Sequence, residues 1–148
     1  MKLYLDNSFL NRPFDDPAIP RNQMEAAILR SIVELVEFEQ WDLIESSVHV
    51  YENSLNPYPE RKAYVEELLR RASIYQNYTD AIAKRARELQ KEYGLTLYDA
   101  RHIASAEIAK ADVFITSDQT LIKKYNSTLP VVDPITFFKK YDNNNKTR

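Results

Sequence analysis

The sequence predicts an α/β domain with a mostly parallel central sheet, and three observations carry that expectation. Short apolar runs alternate with longer segments of helical periodicity, and parallel strands need the crossover connections that helices supply. The strand-like runs at the start and near the end of the chain each close on Asp, Asn or Ser, which favour turns by bonding their own backbone. A length of 148 residues with 44% hydrophobic content fits one core. We assign residues 1–141 to a single domain and read 142–148 as a polar, frayed tail.

The elements follow in order. Leu3-Tyr4-Leu5 is a strand that stops at Asp6-Asn7-Ser8. A polar loop with Pro13 and Pro17 precedes a helix carrying Met24, Ile28, Ile32 and Leu35, for which Asn22 and Glu25 form a capping-box pattern. Trp41 to Ile44 is a second short strand, and Ser46 or Ser47 caps a helix bearing Val48, Tyr51, Glu52 and Leu55. Asn56-Pro57 ends it. Pro59 opens a helix through Val65, Leu68 and Leu69, and Thr79-Asp80 caps another that runs to Tyr93 and stops at Gly94. Thr96 begins a helix with an apolar stripe of Leu97, Ala100, Ile103, Ala104 and Ile108. Asp112 to Thr116 reads as a buried strand, Ser117-Asp118 as the start of a short helix over 119–125, Leu129 to Val132 as a last strand, and Pro134 as the start of a helix ending at Tyr141.

Composition removes several chemistries. Without cysteine there is no thiolate zinc site, Cys nucleophile or disulfide. One glycine, Gly94, cannot build a phosphate cradle or a nucleophile elbow. His49 and His102 have no companion at metal-ligand spacing, and His102, amid helix packing residues, reads as structural. No membrane span or leader is evident, and a cytoplasmic location is expected. A net charge of −2 stands against nucleic-acid binding, while Arg61, Lys62, Arg70, Arg71, Lys84, Arg85, Arg87 and Lys91 concentrate positive charge in one third of the chain. That cluster reads equally well as solvated helix faces interleaved with Glu66, Glu67 and Glu88.

What remains is carboxylate chemistry. Asp6 closes the first strand and Asp118 follows the strand at 113–116, so a parallel sheet places both at its carboxyl-end rim, where ligands of such folds sit. Asp99 lies in the first turn of the helix after Thr96, and Glu52 lies on the helix after the second strand. Each has a plainer role open to it: Asp6 as a turn former, Asp99 as the partner in a capping box, Asp118 as an N-cap, Glu52 as a solvated helix residue. Four converging carboxylates repel one another unless a cation joins them. Hard oxygen donors point to Mg²⁺ or Mn²⁺, which activate water and steady charge on a phosphodiester under attack.

These residues resemble the PIN-domain family over nearly the whole chain. Met1 to Asp6 is similar to the first strand with its leading aspartate, and Ser46 to Glu52 to the segment bearing its glutamate. Thr96 to Ala106 resembles the helix that supplies the third acid, and Asp112 to Asp118 the strand that ends in the fourth. The resemblance implies a three-layer α/β/α sandwich and metal-dependent ribonuclease activity on RNA, with Asp6, Glu52, Asp99 and Asp118 as catalytic metal ligands for Mg²⁺ or Mn²⁺. It also implies homodimers and, in many members, a toxin role with an antitoxin protein. Ser117 is similar to a hydroxyl residue that helps the last acid, or else caps a helix. Asn11 and Arg12 approach substrate phosphate, or else pack the loop with a salt bridge to Asp15. One departure is Asn7, which stands where the family commonly has Thr or Ser, with Ser8 one position later. A competing expectation is a PIN-fold binding or regulatory module with little hydrolysis; a receiver-like domain is disfavoured because the second acid it needs two residues after Asp6 is Ser8.

Overall fold

Five short strands, β1 (Lys2–Leu5), β2 (Asp42–Ser46), β3 (Ile74–Gln76), β4 (Val113–Ile115) and β5 (Val131–Val132), form one sheet in the order β3-β2-β1-β4-β5. The structure is a computed structural model that describes residues 1–146, with side chains through Tyr141. Every strand pair is parallel, with Leu3 opposite both Leu43 and Val113 and Leu5 opposite Ile115. The chain winds from β1 out to β3 on one side and returns to β4 and β5 on the other. The strand order therefore reverses beside β1, and its carboxyl end opens the crevice where such sheets take ligands.

Because side chains alternate across a strand, β1 feeds both faces of the sheet. Leu3 and Leu5 pack with Ile28, Leu29 and Ile32 of α2 (Pro20–Glu37), Val65 and Leu68 of α4 (Pro59–Leu69) and Phe137 of α8 (Pro134–Lys146). Tyr4, Ile44 and Phe114 pack on the other face with Ile82 and Leu89 of α5 (Asp80–Tyr93), Ala100, Ile103 and Ala104 of α6 (Leu97–Ile108) and Leu121 of α7 (Gln119–Lys124). Helices on both faces of a parallel sheet make the three-layer sandwich that the sequence predicts. Truncating a fully buried residue such as Leu5 to alanine would cost roughly 2–5 kcal/mol. Among the described residues no helix is long and apolar enough to cross a membrane.

Local signals set most boundaries. The Thr79 hydroxyl accepts from Ile82 N–H to start α5, and Gly94 ends it in the left-handed region at φ +68°. The Thr96 hydroxyl accepts from Asp99 N–H to start α6. α3 (Ser47–Ser54) begins at Ser46 with a reciprocal capping box in which His49 Nδ1 takes the place usually held by Glu or Gln.

Several expectations are corrected. β3 was not foreseen: Ile74-Tyr75-Gln76 is half exposed at the sheet edge, so it lacks the apolar run of a buried strand. The loop after β1 contains a one-turn helix, α1 (Asn7–Leu10), and a 3-10 turn at Arg12–Phe14. α2 starts at Pro20, and Asn22 and Glu25 are buried inside it rather than forming a capping box. The apolar stripe of α6 is narrower than its spacing suggests, because Leu97 and Ile108 are exposed. α8, expected to end at Tyr141, runs to Lys146, and positions 147 and 148 lie outside the described residues.

Candidate active site

Asp6 is fixed at the carboxyl end of β1 and is only 5% exposed. Its backbone N–H continues the sheet by donating to Ile115 O, and its Oδ1 accepts from Asn7 N–H as the N-cap of α1. Oδ2 accepts from Ser8 Oγ at 2.9 Å and from Thr116 Oγ1 at 2.7 Å. The α1 turn thus brings Ser8, not Asn7, onto the leading aspartate. Thr116 was overlooked as a site residue, although its place at the end of β4 was the available signal.

Asp118 caps α7 through Oδ1, which accepts from Thr120 N–H at 2.9 Å and from Leu121 N–H at 3.4 Å. Asp99 stands in the first turn of α6, half-buried, and its pKa is pushed up to about 6. Removal from water is the largest cause; the charges of Asp6 and Asp118 add to it, while the Thr96 hydroxyl and His102 work the other way. The structure therefore places Asp99 within electrostatic reach of both Asp6 and Asp118. The capping-box reading of Asp99 holds in part, since the Thr96 hydroxyl accepts from its N–H.

Glu52 reaches the same side of the sheet from α3 and is held there by α6. Its Oε1 accepts from His102 Nε2 at 3.0 Å. His102 is buried, and its Nδ1 meets Tyr4 Oη at 2.7 Å; Tyr4 Oη meets Ser46 Oγ at 2.7 Å. Burial works to lower the His102 pKa, but the Glu52 bond and the fields of Asp6, Glu52 and Asp99 carry it above the usual imidazole value. His49 differs. Ser46 N–H donates to its Nδ1, so the proton sits on Nε2, which donates to Leu5 O at 2.7 Å. Burial and the neighbouring His102 lower its pKa to about 3, leaving a neutral ring stacked on Tyr4. His102 packs as the sequence suggests, yet it also orients Glu52.

A second buried acid flanks the rim. Glu25 is 0% exposed and takes Arg12 Nε at 2.7 Å, Arg21 Nε at 3.0 Å and Ser117 Oγ at 2.8 Å. Arg12 also bonds Asp15 at 3.0 Å, so its guanidinium is committed to the loop-packing role. Asn11 Nδ2 donates to Asn7 O, and its Oδ1 faces Asn56, which makes it a loop brace as well. Ser117 is neither the cap of α7 nor bonded to Asp118; its hydroxyl serves Glu25 and its N–H donates to Ser8 Oγ. Arg61, Arg70, Arg71 and Arg85 of the basic segment are in ion pairs with acids, in line with solvated helix faces.

Does this donor set suit a divalent cation? All the donors are hard oxygens, and the Asp99 pKa is raised first by removal from water and then by the charges of Asp6 and Asp118. No three His, Asp or Glu side chains among the described residues already stand close enough to form a cage. What the four acids share is the hard-oxygen chemistry that a divalent cation takes.

Comparison with known proteins agrees with this architecture. The chain has no match among curated proteins. Among solved structures it is similar to FitAcB from Neisseria gonorrhoeae, with 18% identity, a TM-score of 0.59, and 90% of this chain and 98% of that chain covered. It is similar to VapBC2 from Rickettsia felis bound to a DNA fragment from their promoter, with 14% identity, a TM-score of 0.59 and the same 90% and 98% coverage. DNA-bound VapBC from Salmonella typhimurium aligns with 16% identity and a TM-score of 0.54, again over 90% and 98%. Identities this low speak for the fold. The PIN domain family model matches residues 3–126, most of the chain and every one of the four acids, and the chain therefore belongs to the PIN domain family.

Proposed function

We propose that this protein is a Mg²⁺- or Mn²⁺-dependent ribonuclease in which Asp6, Glu52, Asp99 and Asp118 hold the metal, directly or through water. The observation that supports the reading is that Asp99, on α6, lies in the fields of Asp6, at the reversal point of the sheet, and of Asp118. When bound, the ion would activate water and neutralise charge developing on the phosphodiester.

The chain's own residues have distinct tasks. Thr116 and Ser8 leave Asp6 no freedom to rotate, because two hydroxyls occupy one of its oxygens. His102 aims Glu52, and its proton stays on the Nε2 side facing that carboxylate. Asp99 must lose its proton to serve as a ligand, which it does above about pH 6. Asp118 commits Oδ1 to the α7 cap and offers its other oxygen. Asn11, Arg12 and Ser117 would contribute by bracing the loops beside the rim, Arg12 and Ser117 through Glu25 of α2, rather than by free contacts to phosphate.

The test is cleavage of single-stranded RNA with added Mn²⁺ or Mg²⁺, compared with Asp6→Asn and Asp99→Asn variants whose fold is checked by circular dichroism. Activity in the parent that is lost in both variants is expected; retained cleavage in both would remove the proposal. The family, with the likeness to the VapBC and FitAcB complexes, supports a toxin role with an antitoxin partner and a homodimeric assembly. Co-purification with the product of a neighbouring small gene tests that part. The net charge of −2, with half of the basic segment ion-paired, favours a second reading as a PIN-fold binding module. A folded protein that captures a partner yet cleaves no RNA with either metal would decide for it.

A further inference from the structure

Beside the acids lies a groove of about 270 Å³ lined by Ser47, Val48, Tyr51, Tyr78, Tyr98 and Arg101. Pockets for drug-sized ligands start at roughly 300 Å³, so this groove suits a single ring system. Tyr51 and Tyr98 stack with ring centroids 6.3 Å apart and planes inclined by 26°. Tyr51 is 56% exposed and Tyr78 42%, a wide aromatic surface left to solvent. Arg101 lies with its guanidinium carbon 5.7 Å from the centre of the Tyr78 ring, and among the described residues it joins no ion pair.

Its position in the chain links this surface to the rim. Tyr51 directly precedes Glu52 on α3, and Tyr98 directly precedes Asp99 on α6, so one helix pair carries both the aromatic wall and two of the acids. Tyr98 also lies in the field of the Glu52 carboxylate, so a strand whose phosphate reaches that acid passes close to the wall. An unpaired base offers a flat π-face that tyrosines bind without regard to its identity, and a guanidinium adds stacking and positive charge.

We propose that Tyr51, Tyr78, Tyr98 and Arg101 form a subsite that stacks one unpaired nucleobase of the RNA strand next to the scissile phosphodiester. This rests on the ribonuclease reading for the class of ligand, but stacking needs neither metal nor cleavage. The subsite gives the protein a preference for single strands over duplex, whose bases are not free to turn outward. Arg101 supplies locally the positive charge that the chain as a whole lacks.

The experiment measures fluorescence anisotropy of a short labelled oligouridylate in chelator, where nothing is cut. Tyr51→Ala and Tyr98→Ala are each expected to weaken binding on the order of tenfold, and the Tyr51→Phe/Tyr98→Phe double variant to retain it, since the rings remain. An abasic strand of equal length should bind the parent and Tyr51→Ala alike. Equal oligouridylate binding by the parent and both alanine variants would overturn the proposal. So would sedimentation showing a dimer of the parent that the same alanines dissociate, which would make the wall a contact between two copies. Ring-dependent binding without cleavage when Mn²⁺ is restored would support the subsite while sinking the nuclease reading.

Discussion

His102 Nε2 lies 3.0 Å from Glu52 Oε1, so α6 sets the direction of an acid that belongs to α3. The same imidazole meets Tyr4 Oη through Nδ1, which ties the centre of the sheet to the rim. Replacing it leaves two polar partners unmet and a hole in a buried layer. His102→Ala is expected to lose about 3 kcal/mol of stability in urea melts, from a lost buried ring plus unsatisfied hydrogen bonds. A loss under about 1 kcal/mol would show that Tyr4 and Glu52 find other partners.

Asp99 carries a pH signature. Its folded pKa of about 6 exceeds the ordinary carboxylate value, so the native state holds the proton longer than the unfolded chain does. As pH rises from about 4 to 6 this group therefore reduces stability, and above that the full penalty stands. Asp99→Asn should accordingly raise the melting temperature at pH 7 without metal and leave it unchanged near pH 4. The parent should also show weaker Mn²⁺-induced stabilisation at pH 5 than at pH 7, because the ion competes with that proton. Equal shifts at the two values would exclude Asp99 as a ligand.

His49 acts in the opposite sense. Its folded pKa of about 3 lies below that of a free imidazole, so between pH 6.5 and 3 the unfolded chain binds a proton that the native state refuses. Stability is full above pH 6.5 and drains as pH falls through that window, by on the order of 3 kcal/mol at pH 4. Proton NMR should show a His49 ring that does not titrate above pH 4 while the protein stays folded. A midpoint near 6.5 would mean that the Ser46–His49–Leu5 bonds do not persist in solution.

Glu25 is the costliest single acid to remove. It is fully buried against two arginines and the Ser117 hydroxyl, and deleting one member leaves buried charge unpaired. Glu25→Ala is expected to lose about 3–5 kcal/mol by chemical denaturation, while Arg21→Ala, at a more exposed pair, should lose about 1 kcal/mol or less.

What the sequence disclosed and what it hid follow one division. Periodicity and caps revealed the parallel α/β layering, and strand ends marked Asp6 and Asp118, because both signals are local. Glu25 shows the limit: a box pattern with Asn22 is a local fit, but the carboxylate's real partners lie at Arg12 and Ser117, the latter 92 positions away. The role of His102 was hidden for the same reason, since its partners Tyr4 and Glu52 come from other elements. β3 escaped because an edge strand needs no apolar run, only a neighbour to bond. Arg12, by contrast, carried both its readings in the sequence, and packing chose the bond to Asp15.

The hydroxyl of Thr116 grips Asp6 across 110 positions, and the central strand is the first to be made while its partner β4 is among the last. A chain still emerging from the ribosome thus cannot assemble this rim until nearly four fifths of it has been synthesised.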